Sequence, residues 1–155
     1  MMNFFAILRC VALSLCILVV GCTPGAGPFA NVGGAAMVTI DMNLAAHAAT
    51  ALPQGDAGGY APLLTTVPLG TTIRFVNSDN ANHTATIFAG NAFPSGSPFS
   101  TSAQSSFGTL VSSFSSGTLT PGTGSQTLTA DRSGTFLYGC FYHYGAPMRG
   151  VIVVQ

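Results

Sequence analysis

The chain has 155 residues, enough for one domain and a short appendage, and it contains no Trp, Lys or Glu. Four Arg (Arg9, Arg74, Arg132, Arg149) are matched by four Asp (Asp41, Asp56, Asp79, Asp131). This balance offers no basic face to nucleic acid phosphates and lacks the charge density of a disordered tail, while a 48% hydrophobic content rich in Val, Ile, Thr and Phe supplies a sandwich-sized core with a strand bias.

In chain order, residues 1–21 are expected to be a signal peptide. "MMNFFAILR" carries one positive charge, and "CVALSLCILVV" is an apolar run of eleven residues, short for a bilayer span. "VVGC" follows, ending at Cys22; it resembles the bacterial lipobox, in which the Cys is acylated and becomes the new N-terminus. An uncleaved apolar anchor is the competing reading. Either one places the domain outside the cytoplasm, tethered to a bacterial membrane on its periplasmic side or at the cell surface. Cleavage would remove Cys10 and Cys16, block Cys22, and leave Cys140 as the sole thiol of the mature chain. An unpaired thiol in an oxidising compartment needs protection, and a metal would provide it.

Residues 22–36, rich in Gly, Pro and Ala, read as a flexible tether, and residues 37–155 as the folded domain. "AMVTIDMNL" alternates Val38, Ile40 and Met42 against Thr39, Asp41 and Asn43, the period of a half-buried strand. The next stretch is loop-like, with a short helical turn expected within residues 44–52. "LLTTVPLGTTIRFVNSD" reads as two strands about a Pro68–Gly70 turn, and "HTATIFAG" as another. Residues 90–124 are rich in Ser, Gly and Thr. A structureless loop of that length is unusual, so one or two weakly signalled strands are expected there, pinned by Phe93, Phe99, Phe107 and Phe114. "SQTLTA", "TFLYGC" and "RGVIVVQ" complete the set, the last a continuous apolar run suited to a central strand. Short strands at regular spacing predict an all-β, antiparallel sandwich.

The chemistry concentrates in "YGCFYHYGAPMRGVIVV", which holds Cys140, His143 and Met148 within nine residues. Blue-copper sites combine two imidazoles, one thiolate and a weak axial thioether. The second imidazole is His47 or His83. His47 sits in an Ala-rich loop and is expected to be exposed and not a ligand; His83 opens a strand and is the expected second imidazole. Each of these residues alone has a plainer role as packing or a bonded core residue. Structural zinc would want more Cys or His, a binuclear copper centre a second Cys, and a Cys–His hydrolase an acid partner.

These residues resemble the cupredoxin family, most closely its plastocyanin-like branch. The matching segments are "YAPLLTTVPLGTTIRFVNSD" leading to His83, and "GTFLYGCFYHYGAPMRGVIVV". The resemblance implies a Greek-key β-sandwich of about eight strands holding one type 1 copper ion on His83, Cys140, His143 and Met148. Thr84 and Asn82, flanking the first His, are expected to support the ligands; Thr84 stands where many members place an Asn that steadies the Cys loop. Tyr142 replaces the Pro that usually precedes the loop His. The implied function is a single-electron carrier between redox proteins, cytochrome- or oxidase-like, rather than an enzyme with a small-molecule substrate. His143 would be the electron exit, ringed by a docking patch of Tyr142, Tyr144, Ala146 and Pro147. A copper-binding or copper-delivery lipoprotein without an electron-transfer role is the alternative, distinguished by the visible spectrum of the copper-loaded chain.

Overall fold

A computed structural model describes residues 36–99, 108–110, 114–122 and 124–155. The expected signal peptide, Cys22, nearly all of the tether and Phe107 lie outside the described residues. Among those described there is no α-helix, and eleven strands appear in this order. They are β1 (Met37–Met42), β2 (Thr50–Leu52), β3 (Gly55–Ala57), β4 (Tyr60–Ala61), β5 (Leu64–Val67), β6 (Thr72–Asn77), β7 (Thr86–Phe88), β8 (Gly108–Thr109), β9 (Ser125–Thr129), β10 (Gly134–Gly139) and β11 (Arg149–Val154).

Alternation in the sequence becomes the two faces of each sheet. In β1 and β6, Ile40, Met42, Ile73 and Phe75 point inward and are fully buried. They belong to a five-stranded sheet of order β4-β1-β6-β9-β8. A four-stranded sheet, β5-β11-β10-β7, supplies Val67, Phe136, Tyr138, Ile152 and Val154 to the same core. The Phe75 and Tyr138 rings meet edge-on across the two layers with centroids 5.4 Å apart, and Tyr60 packs edge-on against Tyr138 at 4.8 Å. Aromatic contacts of this kind add about 0.5–1.5 kcal/mol each beyond the area they bury. The apolar run of β11 lies inside its sheet, between β5 and β10, as a central strand should.

The expected all-β sandwich is present, but its pairing is mixed rather than antiparallel. Three pairs are parallel: β1 with β6, β5 with β11, and β8 with β9. The Pro68–Gly70 turn does not close a hairpin. It carries the chain from one sheet to the other, so β5 joins β11 while β6 joins β1. The helical turn expected within residues 44–52 is a single turn, closed by the His47 N–H on the Asn43 carbonyl at 3.1 Å. The remainder of that stretch forms the β2–β3 hairpin.

Candidate metal centre

Three elements deliver the predicted donors to one end of the sandwich. His83 lies on the segment between β6 and β7. It is held there by a two-way backbone bridge to Leu119: its N–H donates to the Leu119 carbonyl at 3.2 Å and the Leu119 N–H returns the bond at 2.8 Å. Cys140 follows directly on β10, and Met148 directly precedes β11. The seven residues between them turn back tightly: the Ala146 and Met148 N–H groups both donate to the His143 carbonyl, and the Cys140 N–H donates to the Met148 carbonyl at 3.0 Å.

This places the Cys140 Sγ 3.7 Å from the His83 Nδ1 and 3.7 Å from the His143 Nδ1, with the two ring nitrogens 3.1 Å apart. His83 and Cys140 are fully buried and His143 is partly exposed. A point equidistant from the corners of that triangle lies about 2.0 Å from each, close to the bond lengths of about 2.0–2.1 Å to imidazole nitrogen and about 2.3 Å to thiolate that a first-row divalent ion adopts. The donor set therefore fits a transition metal ion. It pairs a soft thiolate with two borderline imidazoles, the combination that copper favours.

Met148 is fully buried against the same core cluster as Cys140. Its side chain rests on Gly59, where an added Cβ would lie 2.5 Å from the Met148 Cγ. Gly59 also has φ of +72°, a left-handed backbone that only glycine adopts without strain. Gly58 joins in through its carbonyl, which accepts from the Arg149 N–H at 3.1 Å. Neither glycine was singled out from the sequence, although the Gly58–Gly59 pair was the available signal of a close backbone approach.

The surroundings control protons. Burial raises the Cys140 thiol, opposed by hydrogen bonds to the sulfur that include the Thr84 N–H at 3.4 Å. Burial, with the neighbouring His83, pushes His143 down, which favours the neutral, ligating form of the ring. On its far side, the His83 Nε2 donates to the Asp79 Oδ2 at 2.8 Å. Burial alone would raise the Asp79 carboxyl. Hydrogen bonds from His83 and from the Leu44 and Asn80 N–H groups outweigh it and hold the carboxyl below the usual range. The Asp79 contact was also missed in the sequence reading.

Thr84 lies where it can tie the two ligand segments together: the Phe141 N–H donates to its Oγ1 at 2.8 Å. Asn82 is exposed. The neighbour that braces this loop is instead Asn77, whose buried amide donates to the Ala81 carbonyl at 2.8 Å and the Leu119 carbonyl at 2.7 Å. His47 stands apart from the cluster. It is half-buried rather than exposed, because its Nε2 is bonded to the Asp41 Oδ2 at 2.8 Å.

The docking patch needs one correction. Tyr142 is 44% exposed, Ala146 is exposed and Pro147 half-buried, but Tyr144 is only 2% exposed. Its ring packs edge-on against Phe88 and Phe99 and lies under the Arg149 guanidinium at 4.1 Å, while its hydroxyl donates to the Pro94 carbonyl. Tyr144 is an anchor for the loop and not part of its surface.

No family model matches the chain. A chloroplastic plastocyanin of Chlamydomonas reinhardtii is 32% identical over 130 residues, covering 81% of each chain. Among solved structures, a purple cupredoxin of Nitrosopumilus maritimus superposes with a TM-score of 0.50 at 19% identity, covering 76% of this chain and 99% of its own.

Proposed function

Because the chain belongs to the plastocyanin-like cupredoxins, we propose that it is a membrane-tethered, extracytoplasmic blue-copper protein that passes single electrons between redox proteins. The observation that carries this reading is the triangle of the Cys140 Sγ and the His83 and His143 Nδ1 atoms, with sides of 3.7, 3.7 and 3.1 Å. His83, Cys140, His143 and Met148 would hold the ion, two imidazoles, a thiolate and a thioether together. When bound, copper supplies a one-electron Cu(I)/Cu(II) couple.

Everything else is done by the chain. Burial of His83, Cys140 and Met148 excludes water from the donors. Backbone bonds at Cys140, His143 and Met148, and the bridge at His83, fix the donors on strand ends, so little rearrangement accompanies a change of charge. His143 is the donor with a partly exposed ring, which makes it the route by which electrons leave. Around it, Tyr142, Ala146 and Pro147 form a largely uncharged rim suited to another protein's apolar patch.

The lipobox-like "VVGC" supports acylation at Cys22 and hence a lipid anchor outside the cytoplasm. Mass spectrometry of the membrane-extracted protein is expected to find the acyl-modified Cys22 as the first residue; an unmodified Cys22 following residues 1–21 would refute the lipid anchor in favour of an uncleaved apolar one. Docking is tested by following electron transfer to a c-type cytochrome as salt is raised. With an uncharged rim the rate is expected to change little, and strong slowing by salt would refute this mode of docking. A colourless protein that takes up only Cu(I) and releases it readily would point to copper delivery instead.

A further inference from the structure

Asp79 makes the two imidazoles of the centre unequal. The His83 Nε2 donates to its Oδ2 at 2.8 Å, the His83 side chain has no exposure, and that of Asp79 is 9% exposed. Among the described residues, no carboxylate pairs with His143. The carboxylate is itself fixed: Oδ2 also accepts from the Leu44 N–H at 2.9 Å and Oδ1 from the Asn80 N–H at 2.7 Å. The Asp79 N–H is tied to the Asn77 Oδ1 at 3.0 Å. A neutral imidazole that donates its Nε2–H to a carboxylate presents its Nδ1 as a lone pair, and the His83 Nδ1 is the atom that faces Cys140 and His143.

We propose that Asp79 is a positioning residue for the metal, locking His83 in the Nε2–H tautomer and biasing the bound ion toward its higher charge. The inference rests on the copper reading given above. A ring hydrogen-bonded to a carboxylate is a more basic ligand than one bonded to a neutral acceptor. It therefore favours Cu(II) over Cu(I), which lowers the reduction potential of the one-electron couple. Electrons from a donor protein would then enter a centre whose set point depends on one buried carboxylate contributed by the loop after β6.

The test uses the full chain in detergent, as wild type, Asp79→Asn and Asp79→Ala, each in copper-loaded and metal-free forms. In Asp79→Asn the amide oxygen can still face His83 and Leu44, since two donors point there, so the ring bond is kept and the charge is lost. The expected result is an unchanged thiolate charge-transfer band with an affinity ratio for Cu(II) over Cu(I) about tenfold lower, a rise in potential of about 59 mV for one electron. Asp79→Ala loses the bond as well. Nitrogen-15 NMR of the metal-free chain is expected to show His83 as Nε2–H in wild type and Asp79→Asn, and as a tautomer mixture in Asp79→Ala, whose copper affinity falls about 10–100-fold. An unchanged potential in Asp79→Asn would overturn the charge effect. Retention of the Nε2–H form in Asp79→Ala would overturn the positioning role. A wild-type chain without a charge-transfer band would defeat the copper reading itself, and the metal-free NMR would still decide the tautomer.

Discussion

Cys140, His143 and Met148 reach the centre along a single strand connection, whereas His83 reaches it from a separate segment between β6 and β7. The first region is nearly self-sufficient. Residues 140–148 close on themselves through bonds to the His143 and Met148 carbonyls, and Tyr144 is clamped beneath Arg149. The second depends on brackets drawn from distant parts of the chain: the bridge to Leu119, the Asn77 amide, and the Thr84 hydroxyl that meets the Phe141 N–H. A metal centre can thus combine one half written as a compact motif with another half written as dispersed hydrogen bonds. Substitutions should tell the two halves apart.

The largest effect is expected at Asn77. Asn77→Ala would leave the part-buried Ala81 carbonyl and the Asp79 N–H without their partner and the Leu119 carbonyl with the His83 N–H alone, costing about 2–4 kcal/mol in denaturant unfolding at roughly 1–3 kcal/mol per orphaned group. Copper affinity would fall with it, because His83 loses its brace. A variant that unfolds early but keeps wild-type affinity would show that the loop of residues 140–148 suffices, and the contrast would fail.

Gly59→Ala probes the support of the motif half. Left-handed backbone alone costs a non-glycine residue about 1–2 kcal/mol. The new methyl group would also press on Met148, whose Cγ would lie 2.5 Å away. Absorption spectroscopy should show a shifted charge-transfer band as the thioether moves; an unshifted band would free Met148 from any dependence on Gly59. Thr84→Val removes the hydroxyl that accepts the Phe141 N–H, leaving the Thr84 N–H on the Cys140 sulfur, and should cost about 1 kcal/mol. Its sharper readout is a copper EPR spectrum altered by the released Phe141 N–H. The smallest equilibrium effect belongs to Tyr142→Ala, within about 0.5 kcal/mol in stability and without change in the absorption spectrum. Slower electron transfer to a protein partner is still expected, since Tyr142 lies on the exposed rim.

The same division explains what could be read from the sequence. Alternation announced β1 and β6, and the apolar run announced β11, because each strand buries one or both faces in a continuous layer. Between residues 44 and 61 the reading failed. Three short strands there are rich in Ala and Gly and carry almost no periodic signal, yet Tyr60 of β4 is fully buried in the core. Parallel pairing was hidden too, since alternation encodes which face is buried and not which way the neighbour runs. Of the site residues, Cys140, His143 and Met148 were visible through spacing. Asp79 was not, because an acid four residues before a His carries no meaning until the fold aims both side chains at each other. Tyr144 was misplaced for the converse reason: a tyrosine beside an exposed loop His looks like surface until Phe88, Phe99 and Arg149 converge on its ring.

Whether Cys140 and two histidines grip one copper ion is read out most directly by titrating the purified chain with Cu(II) while recording its visible absorption. An intense thiolate-to-copper band is expected, saturating at one ion per chain and vanishing in Cys140→Ser. A chain that stays colourless with Cu(II), or a band that survives in Cys140→Ser, would contradict it.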